Sequence, residues 1–398
     1  MRRSLSLVLA LVLCLLCTVS AAEETGTLST GDKGKEVTEL KQRLKELRYI
    51  TDSRITNKYT EKTEKAVREF QRVNGLPETG QADQATQAAL FSDTALSKPW
   101  PTLKPLAAPE PTPVPDWPER DDEGFLKDGD EYVYENDGEG LWIYLSPTLQ
   151  ITITARRDGS IPLEWFETDI RTRGDETFYT VQTDPDHPGK QFRYPYAIAR
   201  QAGSVLAFTD DFFANRMEDR ETVGITIRNG QIIETKTNGK RGHHLPNLDM
   251  MAMYPDGRLE VYRCNEHSAE ELLEMGAANV FSFGPILIRD GEIDELVYRY
   301  FKSTEPRQAL GMIEPGHYLL LSIQGRTKES KGTVLQRVAE MMKERGVQQA
   351  LNLDGGNTMA LVFRGRMLNK LAVYKKKKFV RTVTSIIGIG HTEKFPDD

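Results

Sequence analysis

The residues best suited to chemistry follow two short apolar segments of the chain. Residues 319–323 lead into Gln324-Gly325-Arg326, and residues 350–353 lead into Asp354-Gly355-Gly356. Paired glycines after an aspartate let the backbone turn sharply and expose amide groups beside a carboxylate, which suits a nucleophile, a base or a metal ligand. An Asp-Gly pair is also common in tight turns that the aspartate merely caps. Residues 352–356 alone leave both interpretations open.

Both apolar segments are short and continuous, which predicts central strands whose ends carry the site. The surrounding region predicts hairpins at three turns of favourable composition. These turns are Asn229-Gly230, Asp256-Gly257 and Asp290-Gly291. One helix is predicted to begin at Ser268, where Glu271 completes a capping box, and to end near Gly276. A second helix is predicted from about Thr333 to Arg345.

Five motifs of this region occur in order. They are Phe281-Ser282-Phe283-Gly284-Pro285 before the Asp290 turn, Pro306-Arg307 before Leu310-Gly311, Gly325-Arg326, Gly332, and Asn352-Leu353-Asp354-Gly355-Gly356. Together they resemble the phosphodiester glycosidase family, over about residues 197–389. The hairpin and helix signals predict a mixed α+β domain at residues 120–391, and the resemblance implies a hydrolase activity. Its substrate would be a sugar-1-phosphate diester, from which a sugar similar to N-acetylglucosamine is released.

The implied reaction requires a carboxylate and cations. A phosphomonoester, whose second pKa is about 6, is a better leaving group than an alcohol, so a strong general acid is dispensable. A carboxylate must activate water or attack the anomeric carbon through an oxocarbenium-like transition state, and cations must hold the departing phosphate. We predict Asp354 as this carboxylate, with Asp211 or Asp210 as a second acidic group.

The phosphate is predicted to contact Arg307 and Arg326, because guanidinium groups bind its oxygens in a bidentate way. For each arginine, a structural salt bridge near the surface is the alternative. Ser282 and Asn352 are predicted to orient the sugar or the phosphate. The rest of the predicted binding loop is Gly355, Gly356, Asn357 and Thr358.

No metal or other cofactor is predicted. The adjacent pair His243-His244 and the single His267 lack the spacing of a zinc site. Calcium accepts carboxylate and carbonyl oxygens from irregular loops, so a cation near Asp354 stays open, although the sequence has no calcium-loop pattern.

One early strand departs from the family pattern. The family usually carries an Asn-Gly type turn before two aromatic residues, whereas this chain reads Phe208-Thr209-Asp210-Asp211-Phe212-Phe213. The departure favours one alternative function, a non-catalytic protein that binds cell-wall polymer. A glycosidase acting on peptidoglycan glycan is another, and it would need two carboxylates at a fixed separation. The two arginines favour a phosphate-containing substrate over both.

The N-terminal region predicts a small helical module at residues 28–92. The apolar positions at helical spacing are Val37, Leu40, Leu44 and Leu47, then Ala66, Val67, Phe70 and Val73, and residues 86–90 supply a third helix. With Gly31-Asp32-Lys33-Gly34 and Gly75-Leu76, this run resembles the three-helix peptidoglycan-binding domain, although Arg48 stands where that family often has glycine. The resemblance implies a partner in peptidoglycan or another cell-wall polymer, with a general protein-interaction domain as the alternative.

The first 22 residues have the order of features found in a signal peptide. Arg2 and Arg3 precede an apolar run that closes in small residues through Ala22, which predicts a cleaved signal peptide at residues 1–22. We therefore expect a secreted, extracellular or wall-associated protein without a stable membrane anchor. Prolines between residues 99 and 118 predict an extended linker at residues 93–119.

Charge gives little indication of the partner. The formal net charge of −7 offers no electrostatic reason to expect nucleic acid. Four lysines at residues 375–378 precede a strand predicted to start at Phe379. They are interpreted as a solvated turn, with attraction to an anionic wall glycan as the alternative.

Overall fold

The computed structural model describes residues 26–50, 52, 54–99, 106, 117–184, 186–187, 190–210, 224–236, 248–299, 302–370, 373–374 and 377–396. The chain divides into two compact units, Met1–Pro101 and Thr102–Asp398. The predicted signal peptide and most of the predicted linker lie outside the described residues. Among the helices that are described, none is long and apolar enough to cross a membrane.

The first unit contains three helices, α1 (Lys35–Glu46), α2 (Glu61–Val73) and α3 (Gln84–Leu90). The apolar residues at helical spacing form its core, where Leu40 and Leu44 of α1 join Phe70 of α2 in one buried cluster. The second helix is followed by Gly75, whose left-handed φ of 69° suits the end of a helix. The predicted three-helix module is confirmed.

Residues beyond position 92 also contact this unit. The Arg48 Nε donates to the carbonyl of Lys98 at 3.0 Å, and the Lys98 amide donates to the carbonyl of Leu47 at 2.9 Å. Tyr49 donates its hydroxyl to the carbonyl of Leu96 at 2.8 Å. The hydrogen bonds of the helical unit therefore reach six residues past the predicted end of the module.

The second unit is built on three antiparallel sheets. In spatial order, the largest contains β1 (Tyr132–Asn136), β2 (Leu141–Leu145), β3 (Leu149–Arg157), β4 (Glu164–Thr172), β15 (His317–Ile323), β14 (Arg307–Glu314), β16 (Gln349–Leu353), β12 (Ile286–Arg289) and β13 (Glu292–Ile293). The second contains β10 (Leu259–Tyr262), β9 (Asp249–Met253), β11 (Asn279–Phe283), β7 (Thr226–Arg228) and β8 (Gln231–Glu234). The third contains β18 (Arg366–Met367), β17 (Leu361–Phe363), β6 (Ser204–Phe208), β21 (Ser385–His391) and β5 (Tyr179–Gln182).

Four helices and one small hairpin complete the described part of this unit. The helices are α4 (Pro195–Ala202), α5 (Ala269–Glu274), α6 (Glu295–Arg299) and α7 (Leu335–Glu344). The hairpin pairs β19 (Val373–Tyr374) with β20 (Lys377–Lys378). The predicted mixed α+β class is confirmed.

The local predictions can be compared with these elements one by one. All three predicted hairpins form, between β7 and β8, β9 and β10, and β12 and β13. The capping box of Ser268 and Glu271 begins α5, and α7 begins two residues after the predicted start. The prediction of a strand that starts at Phe379 is wrong, because the paired residues are Lys377–Lys378. The short strand β20 is defined by its backbone pairing with β19, and an apolar sequence pattern does not predict such pairing.

The central strands are buried on both faces. On one face, Leu320 and Leu351 join a core cluster that also contains Phe208 of the third sheet and Phe281 of the second. On the other face, side chains such as Leu321 pack in a second cluster with the residues of α7. Successive residues of a strand point to opposite faces, so a strand covered on both sides reads as a continuous apolar run. The predicted central position of both segments is confirmed.

The partly buried carboxyl group of Glu176 should make stability depend on pH. Glu176 accepts hydrogen bonds from the Gly390 amide at 3.2 Å and from the Thr148 hydroxyl at 3.4 Å, yet burial raises its pKa. The folded state therefore binds more protons than the unfolded chain, and stability falls as pH rises above about 4.3, the ordinary glutamate pKa. We expect Glu176→Gln to be more stable than the wild type at pH 7 and equally stable at pH 4.

Urea unfolding at the two pH values measures this difference. Glu393→Gln is the matched control, because Glu393 is an exposed glutamate of the same unit. A Glu176→Gln protein whose advantage is the same at pH 4 and pH 7 would contradict the proposed effect of burial.

Candidate active site

Strand register brings the predicted site residues to one edge of the largest sheet. β14 lies between β15 and β16 and is antiparallel to both, so its first residues meet the last residues of its two neighbours. Arg307 is paired with Ile323, and Gln308 is paired with Leu353. The segments that begin with Gln324 and Asp354 therefore leave the sheet on either side of Arg307.

The turn after β16 is held tightly against the start of β14. The Gly356 amide donates to the carbonyl of Pro306 at 3.0 Å, and the Asp354 amide donates to the carbonyl of Asp210 at 3.2 Å. A Cβ atom at Gly355 would lie 2.5 Å from the Pro306 oxygen, which is closer than any real contact. The first glycine of the pair therefore permits the backbone of the turn to approach β14.

This close approach predicts a cost for Gly355→Ala. A methyl group there must push backbone atoms apart, so we expect the free energy of unfolding to fall by about 1–3 kcal/mol. Urea denaturation measures the change. Gly159→Ala serves as the control, because an added Cβ at Gly159 would meet no heavy atom within 4 Å. Equal stability of the two variants would show that the turn can move away from β14.

Arg326 is fixed by a carboxylate and by the turn itself. Its Nε and Nη2 lie 2.8 and 2.7 Å from one oxygen of Glu305, and its Nη1 donates to the Asn357 Oδ1. Arg326 has a left-handed φ of 55°. The guanidinium is thus both in a salt bridge and beside the Asp354 turn. A structural salt bridge and a contact with phosphate are therefore compatible roles for Arg326.

Arg307 lies nearby with neutral partners. Its guanidinium donates to the Ser303 carbonyl at 2.8 Å, the Ser303 hydroxyl at 3.2 Å and the Thr333 carbonyl at 3.3 Å. Within the part of the chain that is described, no carboxylate lies within 4 Å of it. Burial lowers the pKa of Arg307 to about 10; the Glu305 charge opposes this shift, and the Arg326 charge adds to it. A bound anion would offset both unfavourable effects.

Asp210 contacts the same turn, but its carboxylate is turned into the protein. The side chain is 4% exposed, accepts a hydrogen bond from the Ser385 hydroxyl, and lies 3.9 Å from the Arg228 Nη2. The preceding Thr209 donates its hydroxyl to the Thr358 carbonyl at 3.0 Å and accepts from the Ala360 amide at 2.7 Å. The departure from the family pattern therefore falls on residues that support the turn. Asp211 lies outside the described residues.

Ser282 and Asn352 lie beneath the site. Ser282 is fully buried and donates to the Ile225 carbonyl at 2.6 Å. Asn352 donates its Nδ2 to the Gly284 carbonyl at 2.9 Å, and its buried Oδ1 has no hydrogen-bond partner among the described residues. Their predicted contact with sugar or phosphate stays a prediction, whereas their contacts here support β11 and β16.

Two arginines were missed by the sequence reasoning. The Arg381 Nη1 donates to the Thr358 hydroxyl at 2.9 Å, which places a third guanidinium next to the turn. Arg228 is 3% exposed, lies 4.2 Å from the centre of the Phe281 ring, and donates to the Val280 carbonyl at 2.5 Å. Neither belongs to a recognisable motif, and the only sequence signal is an arginine beside a β-rich run.

The described residues offer no obvious metal centre. No group of three or more histidine, cysteine, aspartate or glutamate side chains within them is arranged to hold a metal ion. His267 packs edge-on against the Tyr262 ring and lies 3.9 Å from Glu271. The pair His243-His244 is outside the described residues.

Comparisons with known families agree with this two-unit architecture. Residues 33–90 match the peptidoglycan binding domain family, and residues 202–390 match the phosphodiester glycosidase family. The chain thus combines a small helical unit that matches the peptidoglycan binding domain family with a larger unit that matches the phosphodiester glycosidase family. Both resemblances drawn from the sequence are confirmed.

Individual relatives are distant. The SPbeta prophage-derived uncharacterized protein YomE of Bacillus subtilis strain 168 is 22% identical over 265 residues, or 62% of this chain. The N-acetylglucosamine-1-phosphodiester alpha-N-acetylglucosaminidase of Bos taurus is 26% identical over 218 residues, or 49% of this chain. The match spans 39% of the length of each relative. The catalytic domain of the zebrafish enzyme of the same name, auto-inhibited by its pro-peptide, is 17% identical with a TM-score of 0.49, over 66% of this chain and 89% of that chain.

Proposed function

We propose that this protein is a secreted, cell-wall-associated hydrolase that releases a sugar similar to N-acetylglucosamine from a sugar-1-phosphate diester. The two matched families support a cell-wall-associated glycosidase in general. The choice of a phosphate-containing substrate rests on one observation, the placement of Arg307 and Arg326 beside the Asp354 turn. The helical unit would hold the enzyme on peptidoglycan or another wall polymer.

The two guanidinium groups favour an anion over a neutral glycan. Arg326 shares its charge with Glu305, whereas Arg307 has only neutral hydrogen-bond partners among the described residues. A phosphate between them would supply negative charge where the Arg326 charge disfavours the charged form of Arg307. Charge-assisted hydrogen bonds from guanidinium to phosphate are also stronger than those between neutral groups. A neutral glycan would leave the Arg307 charge uncompensated.

The proposed reaction uses Asp354 as its carboxylate. As the oxygen of a water molecule bonds to the anomeric carbon, the Asp354 carboxylate takes a proton from that water. The bond between the anomeric carbon and the phosphate oxygen breaks, and its electron pair leaves with the phosphomonoester. Arg307 and Arg326 stabilise the charge that develops on this leaving group. Direct attack by Asp354, followed by hydrolysis of the glycosyl ester, is the alternative and gives the same products.

The position of Asp210 is relevant to the glycosidase alternative. An ordinary glycosidase needs a second carboxyl group facing the first across the sugar. Asp210, the described candidate for that role, is buried against Ser385 and Arg228. We therefore assign Asp210 to holding the Asp354 turn.

The test is the release of free sugar from an N-acetylglucosamine phosphodiester with a chromogenic aglycone. The same sugar joined directly to the chromophore, without phosphate, is the comparison substrate. We expect turnover of the diester alone. Cleavage of the phosphate-free glycoside alone would favour a peptidoglycan glycosidase. Cleavage of neither substrate, by a folded protein that still sediments with wall material, would favour the non-catalytic polymer-binding function.

A further inference from the structure

The guanidinium of Arg326 already holds an internal anion, the carboxylate of Glu305. The Nε and Nη2 of Arg326 lie 2.8 and 2.7 Å from one oxygen of this carboxylate. These two nitrogens form an edge with which an arginine also binds the oxygens of a phosphate. The side chains of Arg326 and Glu305 are 30% and 32% exposed, so a small ligand can reach the pair. A phosphate that approaches Arg326 therefore also meets the charge of Glu305.

The backbone holds Glu305 in this position. The Glu305 amide donates to the carbonyl of Thr333 at 3.1 Å, and the Thr333 amide donates to the carbonyl of Glu305 at 2.9 Å. A Cβ atom at Gly332 would lie 2.4 Å from the Glu305 carbonyl group, so the two segments are in close contact. Burial lowers the pKa of Arg307 and the Glu305 charge opposes this shift, so the carboxylate acts on both arginines.

The charges at the proposed phosphate position do not cancel. Arg307 and Arg326 contribute two positive charges, and Glu305 contributes one negative charge. The Asp354 turn adds one charge of each sign, from the Asp354 carboxylate and from Arg381, which contacts the turn. Among these described residues, one positive charge is left over. An anion with a single charge compensates it, whereas a second negative charge on the ligand exceeds it.

The proposed reaction changes the charge of the phosphate. A phosphodiester carries one negative charge. The phosphomonoester that leaves the sugar carries about −1.5 to −2 charges at pH 7, because its second pKa is about 6. A site with one net positive charge therefore matches the substrate better than it matches the product.

We propose that Glu305 selects the charge of the bound phosphate. It favours the singly charged diester over the doubly charged monoester, and its repulsion promotes release of the phosphomonoester. This inference rests on the proposed hydrolysis of a sugar-1-phosphate diester. Glu305 takes no part in making or breaking bonds, and it determines specificity through its charge beside Arg326.

The phosphomonoester is the group whose titration reveals this selection. The charged groups on the segments packed against Glu305, and on the adjoining turn, are Arg307, Arg326, Lys328, Glu329, Lys331, Asp354 and Arg381. None of these residues is a histidine, so the ligand is the group expected to titrate between pH 5 and pH 8. The residues at 328, 329 and 331 are exposed, where solvent and salt screen their charges.

The experiment is titration calorimetry of the full chain with methyl phosphate, a monoester, and dimethyl phosphate, a diester with one charge. We expect Glu305→Gln to shift the ratio of the two dissociation constants about tenfold toward methyl phosphate at pH 8, as one charge pair a few ångströms apart implies. At pH 5 methyl phosphate carries mostly one charge, so the variant and the wild type should have the same ratio. A carboxylate that only orients Arg326 would change both affinities by one factor and leave the ratio constant.

Two further variants serve as controls. Glu305→Asp keeps the charge and should keep the wild-type ratio. Glu314→Gln removes a glutamate that is 71% exposed at the other end of β14, and it should also keep the ratio. In turnover of N-acetylglucosamine 1-phosphate esterified with methanol, the product methyl phosphate should inhibit Glu305→Gln more strongly than the wild type at pH 8.

The outcomes separate this inference from the proposed function. If both phosphates bind and Glu305→Gln keeps the wild-type ratio at pH 8, or shifts it equally at pH 5, charge selection is refuted while the hydrolase function stands. If the ratios change as expected but the methyl diester is not cleaved, the proposed function fails and charge selection by Glu305 is supported. If neither phosphate binds the folded wild type, both are overturned.

Discussion

Asp354→Asn is expected to release sugar from the chromogenic diester at least about a thousandfold more slowly than the wild type, within the range of effects known for positioned acids and bases. The amide can neither accept a proton from water nor attack the anomeric carbon. The turn itself should survive, since it is set by the backbone hydrogen bonds of Asp354 and Gly356. The loss should therefore appear in kcat without a loss of folded protein.

Steady-state kinetics and circular dichroism of the purified variant measure both quantities. Asp128→Asn is the matched control, because Asp128 is an exposed aspartate of the same unit. We expect the control to retain wild-type turnover. An Asp354→Asn protein that keeps more than about a tenth of the wild-type rate would remove Asp354 from the chemical step, because a catalytic carboxylate contributes far more than that.

Arg307→Met is expected to lower kcat/KM for the diester by about 100- to 1000-fold, the range observed when one group that stabilises transition-state charge is removed. The variant should be at least as stable as the wild type. The substitution removes a charge whose described partners are all neutral and replaces it with a flexible apolar side chain. Loss of activity with retained stability would show that Arg307 serves ligand binding and does not stabilise the fold.

Arg307→Lys tests whether charge alone is sufficient. Lysine keeps the positive charge but loses the planar arrangement of donors, so an intermediate kcat/KM is expected. Arg171→Met, at an exposed arginine on β4, is the surface control. If Arg307→Met keeps the wild-type kcat/KM and is also less stable, Arg307 would be a structural residue of the β14 start, and the case for a phosphate-containing substrate would rest on Arg326 alone.

The elements around the site were predictable because their signals are local. Leu319, Leu320 and Leu321 form a continuous apolar run, and the structure explains this by a core on each face of β15. The turns at Asn229, Asp256 and Asp290 depend on a few adjacent residues, so composition is sufficient to find them. The convergence of Asp354 with Arg307 and Arg326 is different, since it depends on the pairing of β14 with β16, which is separated from β14 in the chain by β15 and α7.

Side-chain roles were harder to predict, because they depend on partners far away in the sequence. The sequence shows that Asp210 is acidic and follows an apolar strand, but it does not show that the carboxylate meets Ser385. Thr209 likewise carries two hydrogen bonds to the segment after the Asp354 turn. The Asn357 amide depends in the same way on Arg326, which lies 31 positions away and donates its Nη1 to the Asn357 Oδ1.

The hydrogen bond between Asp210 and Ser385 also affects folding during synthesis, because these two residues are 175 positions apart. Ser385 belongs to β21, which pairs with both β6 and β5. A growing chain therefore cannot close the third sheet or support the Asp354 turn until nearly all of its residues have been added. Long-range pairings of this kind also slow folding. A prematurely terminated product would carry the complete helical module but an incomplete candidate site.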